Sequence, residues 1–191
     1  MDIIDKAVKV LNTDGIVVYP TETVYGLGGD AFSDDAIQKV YEAKSRPISK
    51  PMSIAVSDFE MLCAVGYIGA YEEEFINRFM PGPVTAIVRA RSAVPTIMTG
   101  GTGMIGIRYP DHPLALHLIS RFDSPITATS ANQSGAKDPV TPEECHVLYD
   151  LLIDGGRLTG IPSTVVDLVD RIILREGTLT PEVRQWLSGR E

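Results

Sequence analysis

Apolar residues at Ile3, Ile4, Ala7, Val8, Val10 and Leu11 keep a helical spacing, which predicts a helix over 2–12 ended by Gly15. The run Gly-Ile-Val-Val-Tyr-Pro at 15–20 then reads as a buried strand. Ser33, followed by Asp34 and Asp35, caps a second helix reaching Ala43, with both acids favourable to the helix dipole. Further strands are expected at 52–56, 84–88, 105–109 and 126–129, and helices at 58–65, 72–79 and 112–122. A short helix is expected at 142–146. Residues 165–169 and 172–175 form a hairpin around Asp170, and Thr180-Pro181 opens a last helix to Leu187.

Strands and helices alternate without strict βαβ regularity, and the hairpin is antiparallel. The expected fold is α/β: a single domain with a twisted open mixed (parallel and antiparallel) sheet flanked by helices. A length of 191 residues suits one sizeable core, spanning 4–187 with no second domain. A hydrophobic content of 44% with 22% charged residues argues against disorder. No apolar stretch approaches the ~20 residues that cross a bilayer. The N-terminus carries acids where a secretory signal carries positive charge, so the expected location is cytoplasmic. Cys63 and Cys145 make no disulfide framework, and the three histidines lack metal spacing.

The net charge of −8 opposes broad nonspecific binding to nucleic acid. Its distribution is uneven: 75–109 holds no acid but contains Arg78, Arg89, Arg91 and Arg108. That stretch reads either as solvated faces or as a basic cleft in an acidic body. Lys44-Ser-Arg-Pro-Ile-Ser-Lys50 reads as an exposed cationic loop, and Ser130-Ala-Asn-Gln-Ser-Gly135 as polar groups where a strand opens into a loop. Fixed cations facing small hydrogen-bonding residues suit a polyanion such as a nucleoside triphosphate. Other motifs fail. Gly101-Thr-Gly103-Met-Ile-Gly106 matches GxGxxG but precedes a strand instead of opening a helix, and neither a P-loop nor a GxSxG elbow is present. Pro20-Thr-Glu-Thr-Val-Tyr-Gly-Leu-Gly28 reads on its own as a capped turn.

Taken together, Tyr19-Pro-Thr-Glu-Thr-Val-Tyr-Gly-Leu-Gly28, Lys44-Ser-Arg-Pro47, Pro81-Gly-Pro-Val-Thr85, Ile107-Arg-Tyr-Pro110, Ser130-Ala-Asn-Gln-Ser-Gly135 and Ser163-Thr-Val-Val-Asp167, with Ile173-Leu-Arg175, resemble the YrdC-like family of threonylcarbamoyl-AMP synthases. The resemblance covers nearly the whole chain. It implies a nucleotidyltransferase that joins L-threonine, bicarbonate and ATP into threonylcarbamoyl-AMP and pyrophosphate. The product would feed t6A modification of tRNAs reading codons that begin with A, through downstream threonylcarbamoyl-transfer machinery.

Carried over residue by residue, the resemblance makes Lys44 and Arg46 catalytic through the ATP phosphates. Lys50, Met104, Ser130, Asn132, Asp138 and Arg175 join them in binding the nucleotide, and Thr23, Arg108, Ala128 and Ser163 bind threonine. The planar fork of Arg108 suits its carboxylate. Mg²⁺ would arrive with the triphosphate, with Glu22 able to help position it and no protein metal ligands assigned. Ala55 stands where some relatives carry a histidine, and Asp138 where many carry a serine. An RNA-binding module for tRNA or double-stranded RNA on the same fold is the alternative. A relative handling carbamoyl groups with another acceptor is a third class.

Overall fold

A computed structural model describes residues 2–189. In chain order its elements are α1 (Ile3–Leu11), β1 (Val17–Tyr19), β2 (Gly26–Gly28), α2 (Asp34–Ala43), β3 (Ser53–Ala55), α3 (Phe59–Val65), α4 (Ala70–Phe79), β4 (Val84–Arg89), α5 (Thr96–Thr99), β5 (Met104–Arg108), α6 (Pro113–Phe122), β6 (Ile126–Ser130), β7 (Leu151–Leu152), β8 (Thr164–Asp167), β9 (Ile172–Arg175) and α7 (Thr180–Ser188). Pro142–Glu144 forms one 3-10 turn, shorter than the helix expected there. Side chains cap the helices where the sequence supplies them. Asp2, Ser33 and Asp58 accept hydrogen bonds from Asp5, Ala36 and Met61 backbone N–H groups.

The strands form one sheet in the order β7-β1-β2-β6-β3-β5-β4-β8-β9. It is mixed, as the irregular alternation predicts: β1–β7, β3–β5 and β4–β8 are parallel, and the remaining neighbours are antiparallel. Strand periodicity divides its residues between two faces. Val18, Leu27, Ile54, Ala86, Val88, Ile105, Ile107 and Val166 pack on one face, beneath α2, α3, α4 and α7. On the other face, α1 and α6 bury Val17, Tyr19, Ala55 and Ile126 through Ile4, Ala7, Leu11, Ala115, Leu118 and Ile119. That second cover is partial. The cavity described below opens on the part of this face left bare.

Three elements, β2, α5 and β7, lie outside the sequence reading, and β2 bears on the site. Residues 20–24 do form a hydroxyl-capped turn, with Thr21 Oγ1 donating to the Val24 carbonyl at 2.7 Å and accepting from the Thr23 and Val24 N–H groups. Gly26–Gly28, however, is a strand pairing with β1 and β6. Its glycines leave room for the Tyr19 ring, and a Cβ on Gly26 would lie 2.9 Å from Tyr19 Cζ. The strand thus lacks the side chains by which strands are recognised. The Gly101–Gly106 run also resolves as expected: Gly101 and Gly103 take positive φ in a turn, and Gly106 lies inside β5. Among the described residues, no helix is long and apolar enough to cross a membrane.

Candidate active site

On the open part of the sheet lies a cavity of about 300 Å³. Its floor is made by strand positions facing one way: Ser53 and Ala55 of β3, Thr85 of β4, Arg108 of β5, Ala128 and Ser130 of β6, and Val165 of β8. Small side chains here make the surface concave. Gly106 keeps the floor low as well, since a Cβ there would meet Ser53 Oγ at 2.5 Å.

Lys44, Arg46, Ser130, Asn132, Asp138, Arg175, Arg108, Ala128 and Ser163, scattered over more than a hundred positions, all line this one cavity. Lys44 corrects the sequence reading. It is not on an exposed loop but is the C-cap of α2 and only 2% exposed. Its ammonium donates to the carbonyls of Ser130 and, at 2.7 Å, Asn132, and to Asn132 Oδ1 at 3.2 Å. Burial, reinforced by the Arg46 charge and opposed by the Asp138 carboxylate, lowers its pKa to about 8. Asn132 is held in turn: Oδ1 accepts from Ser130 Oγ at 2.6 Å, and Nδ2 donates to the Ala136 carbonyl at 2.6 Å and Asp138 Oδ1 at 3.2 Å.

The remainder of the 44–50 run is exposed or half-buried. Tyr41 anchors it, its hydroxyl lying 2.8 Å from the Lys50 carbonyl and 3.1 Å from that of Ile97. Arg46 donates from Nη2 to the Pro51 carbonyl at 2.7 Å, and its buried Nε has no hydrogen-bond partner.

Arg175 of β9 donates to Ser163, reaching Oγ at 2.9 Å and the carbonyl at 3.1–3.2 Å. Ser163 Oγ also lies 2.8 Å from Thr85 Oγ1. Arg108 is buried, with Nη1 donating to the Gly82 and Val84 carbonyls at 2.8 Å each and Nη2 pairing with Glu22 Oε1 at 2.8 Å. That pairing assigns Glu22 an internal cation.

Three expected residues do not line the cavity. Thr23 is buried behind Thr21, with 2.9 Å between the two hydroxyls, so Thr21 faces inward in its place. Lys50 is exposed. Met104 begins β5 opposite Arg89, at the end of the strand remote from Arg108. Conversely, Thr21, Ser53, Thr85 and Thr129 line it without having been anticipated. Their signal is a polar residue interrupting a buried apolar strand, as Thr85 interrupts Val84–Val88.

Among the described residues, four cations (Lys44, Arg46, Arg108 and Arg175) and one carboxylate (Asp138) line the cavity of a chain with net charge −8. Such a pocket concentrates anions against the sign of the whole molecule. The acid-free stretch does not build it alone. Arg89 and Arg91 line a separate groove, with Arg91 stacked 4.9 Å over Tyr67, and Arg78 is exposed on α4. Among the described residues no cysteine or histidine lines the cavity, and its cations and hydroxyls suit binding and charge stabilisation.

The Sua5/YciO/YrdC family model, described as Telomere recombination, matches residues 9–177. A Bacillus subtilis protein named threonylcarbamoyl-AMP synthase is 40% identical, the match taking in 97% of this chain and 56% of that one. An Escherichia coli protein of the same name is 32% identical over 92% of this chain and 96% of its own. The crystal structure of Pyrococcus abyssi Sua5 complexed with L-threonine superposes with a TM-score of 0.92 at 36% identity, covering 97% of this chain and 57% of that one. The chain spans about half the length of the B. subtilis and P. abyssi relatives it matches. With the family model matching residues 9–177 and the whole sheet superposing on that of a 36% identical relative, the chain belongs to the Sua5/YciO/YrdC family.

Proposed function

We propose that the chain is a nucleotidyltransferase that condenses L-threonine, bicarbonate and ATP into threonylcarbamoyl-AMP, releasing pyrophosphate. The observation that carries this reading is the union, in one cavity, of a cation-and-amide end around Lys44, Arg46 and Asn132 with a hydroxyl-and-guanidinium end around Ser163 and Arg108. The first end suits a nucleoside triphosphate, with Ser130, Asp138 and Arg175 around it. The second suits a small amino acid against Ala128, Thr85 and Ser163, its carboxylate on Arg108.

The chemistry asks for little more. The free amine of threonine attacks bicarbonate, a C–N bond forms, and water leaves. A carbamate oxygen then attacks the α-phosphorus, and the bond to the pyrophosphate oxygen breaks. Neither step requires a covalent enzyme intermediate. Holding the reactants in line and neutralising charge on the phosphates supply the acceleration. Lys44 and Arg46 do the latter, Lys44 by exchanging part of its hold on the 130–132 segment for phosphate oxygen.

Among the described residues, no three of His, Cys, Asp and Glu converge as a metal cage. Mg²⁺ would arrive with the triphosphate, most of its ligands being phosphate oxygens and water. Asp138 is the carboxylate available to it, since Oδ1 accepts a single 3.2 Å bond from Asn132. When bound, the ion would shield phosphate charge.

The product is a reactive mixed anhydride, to be consumed by group transfer onto tRNA as t6A. A cytoplasmic location, where ATP and tRNA are both present, belongs to the same proposal. Incubation with ATP, Mg²⁺, bicarbonate and each amino acid in turn, followed by mass detection of the adenylate, tests the reading. The expected adenylate forms with threonine and requires bicarbonate. Equal pyrophosphate release from ATP alone would overturn the assignment. Salt-dependent RNA binding without any adenylate would favour the RNA-binding class.

A further inference from the structure

Arg108 offers five N–H donors, and three are spent: two on the Gly82 and Val84 carbonyls and one on Glu22 Oε1. Two remain, enough for one ligand carboxylate. Glu22 is itself mostly buried, and its Oε2 is fully enclosed with no hydrogen-bond partner. An enclosed, unpartnered carboxylate oxygen is costly unless its charge serves a purpose. Holding Arg108 in place does not by itself need that charge, because the neutral amide of a glutamine would accept the same bond.

We propose that Glu22 is a specificity-determining residue, its negative charge beside Arg108 making the subsite select a zwitterionic α-amino acid over an acid that lacks the ammonium. Glu22 and Arg108 together carry no net charge, and neither does an α-amino acid at neutral pH. Seating the ligand carboxylate on Arg108 brings it near Glu22, and the adjacent ammonium offsets the repulsion between the two carboxylates. A hydroxy acid carries no ammonium to offset it. Rejection of such acids matters because only an amine can become a carbamate. This inference rests on reading the Arg108 end of the cavity as an amino-acid site.

Calorimetric titration without ATP, using L-threonine and the hydroxy acid in which its amine is replaced by hydroxyl, tests it. The wild-type chain should prefer threonine by about tenfold or more, the scale of one charge-assisted contact. Glu22→Gln should shrink that preference about tenfold, with hydroxy-acid binding strengthened relative to threonine, while ATP affinity measured alone is retained. Glu22→Asp, which keeps the charge, should retain the preference. Unchanged preference in Glu22→Gln, or equal loss of both ligands, would reduce Glu22 to a support for Arg108 and overturn the inference. Should Glu22→Gln fail to fold, equal affinity of the wild-type chain for both ligands would overturn it just as well. Wild-type binding of neither ligand would instead reject the amino-acid site itself, and the inference with it.

Discussion

The Lys44 ammonium is clasped by Asn132, whose backbone carbonyl accepts from it at 2.7 Å and whose side-chain oxygen accepts at 3.2 Å. This contact ties the end of α2 to the loop after β6. Lys44 is thus a structural strut as well as the proposed phosphate ligand. Lys44→Ala should therefore lose nucleotide affinity and also about 1–3 kcal/mol of stability, from buried carbonyls left without their donor. Arg46→Ala, at a half-exposed position, should lose nucleotide affinity with little change in melting. Calorimetry and thermal melts on both variants check the contrast, and equal melting temperatures would reject the strut.

The lowered pKa of Lys44, about 8, carries a pH signature. Below that value the free site holds a charged ammonium ready for phosphate. Above it the ammonium is lost, and ATP must restore the proton to regain the contact. ATP affinity should fall as pH rises from 7 to 9. Above pH 8, binding should take up close to one proton, seen as a dependence of calorimetric heat on the buffer's ionisation enthalpy. The Lys44→Ala variant should show neither effect.

Legibility followed side-chain chemistry. Helices with capping side chains at Asp2, Ser33 and Asp58, and apolar strands such as β4 and β5, are plain in the sequence because their signals are local. The strand β2 was hidden because its glycines make space for a ring seven or more residues away, a relationship only the folded sheet reveals. Most residues of the cavity were recognisable as family motifs. The burial of Lys44 was not, since its polar neighbours on either side read as solvated loop. Nor was the Glu22–Arg108 pair, whose members lie 86 positions apart.

Gly106 offers a test of the cavity floor that changes no charged group. A Cβ at this position would lie 2.5 Å from Ser53 Oγ and 3.2 Å from Thr85 Cγ2. Gly106→Ala should push Ser53 and Thr85 into the cavity, costing about 1–3 kcal/mol of stability as overpacking does. Ligand affinity should fall with it, though every cation remains. Wild-type binding of both ATP and threonine would show that the floor lies elsewhere.

Arg108→Lys probes the geometry of the proposed threonine clamp. A lysine can preserve the positive charge, but its single ammonium cannot present two parallel N–H groups to a carboxylate while also satisfying the Gly82 and Val84 carbonyls and Glu22. The buried pair with Glu22 must weaken as well, so some loss of melting temperature is expected alongside the loss of ligand. The KM for threonine should rise about ten- to hundredfold, corresponding to one charge-assisted hydrogen bond of roughly 1.5–3 kcal/mol. ATP affinity measured without threonine should change little, because the phosphates are proposed to lie on Lys44 and Arg46. A variant with lowered melting and wild-type threonine dependence would make Arg108 a structural tie between β5 and the 82–84 segment. One that lost ATP and threonine together would move Arg108 to the nucleotide end of the cavity.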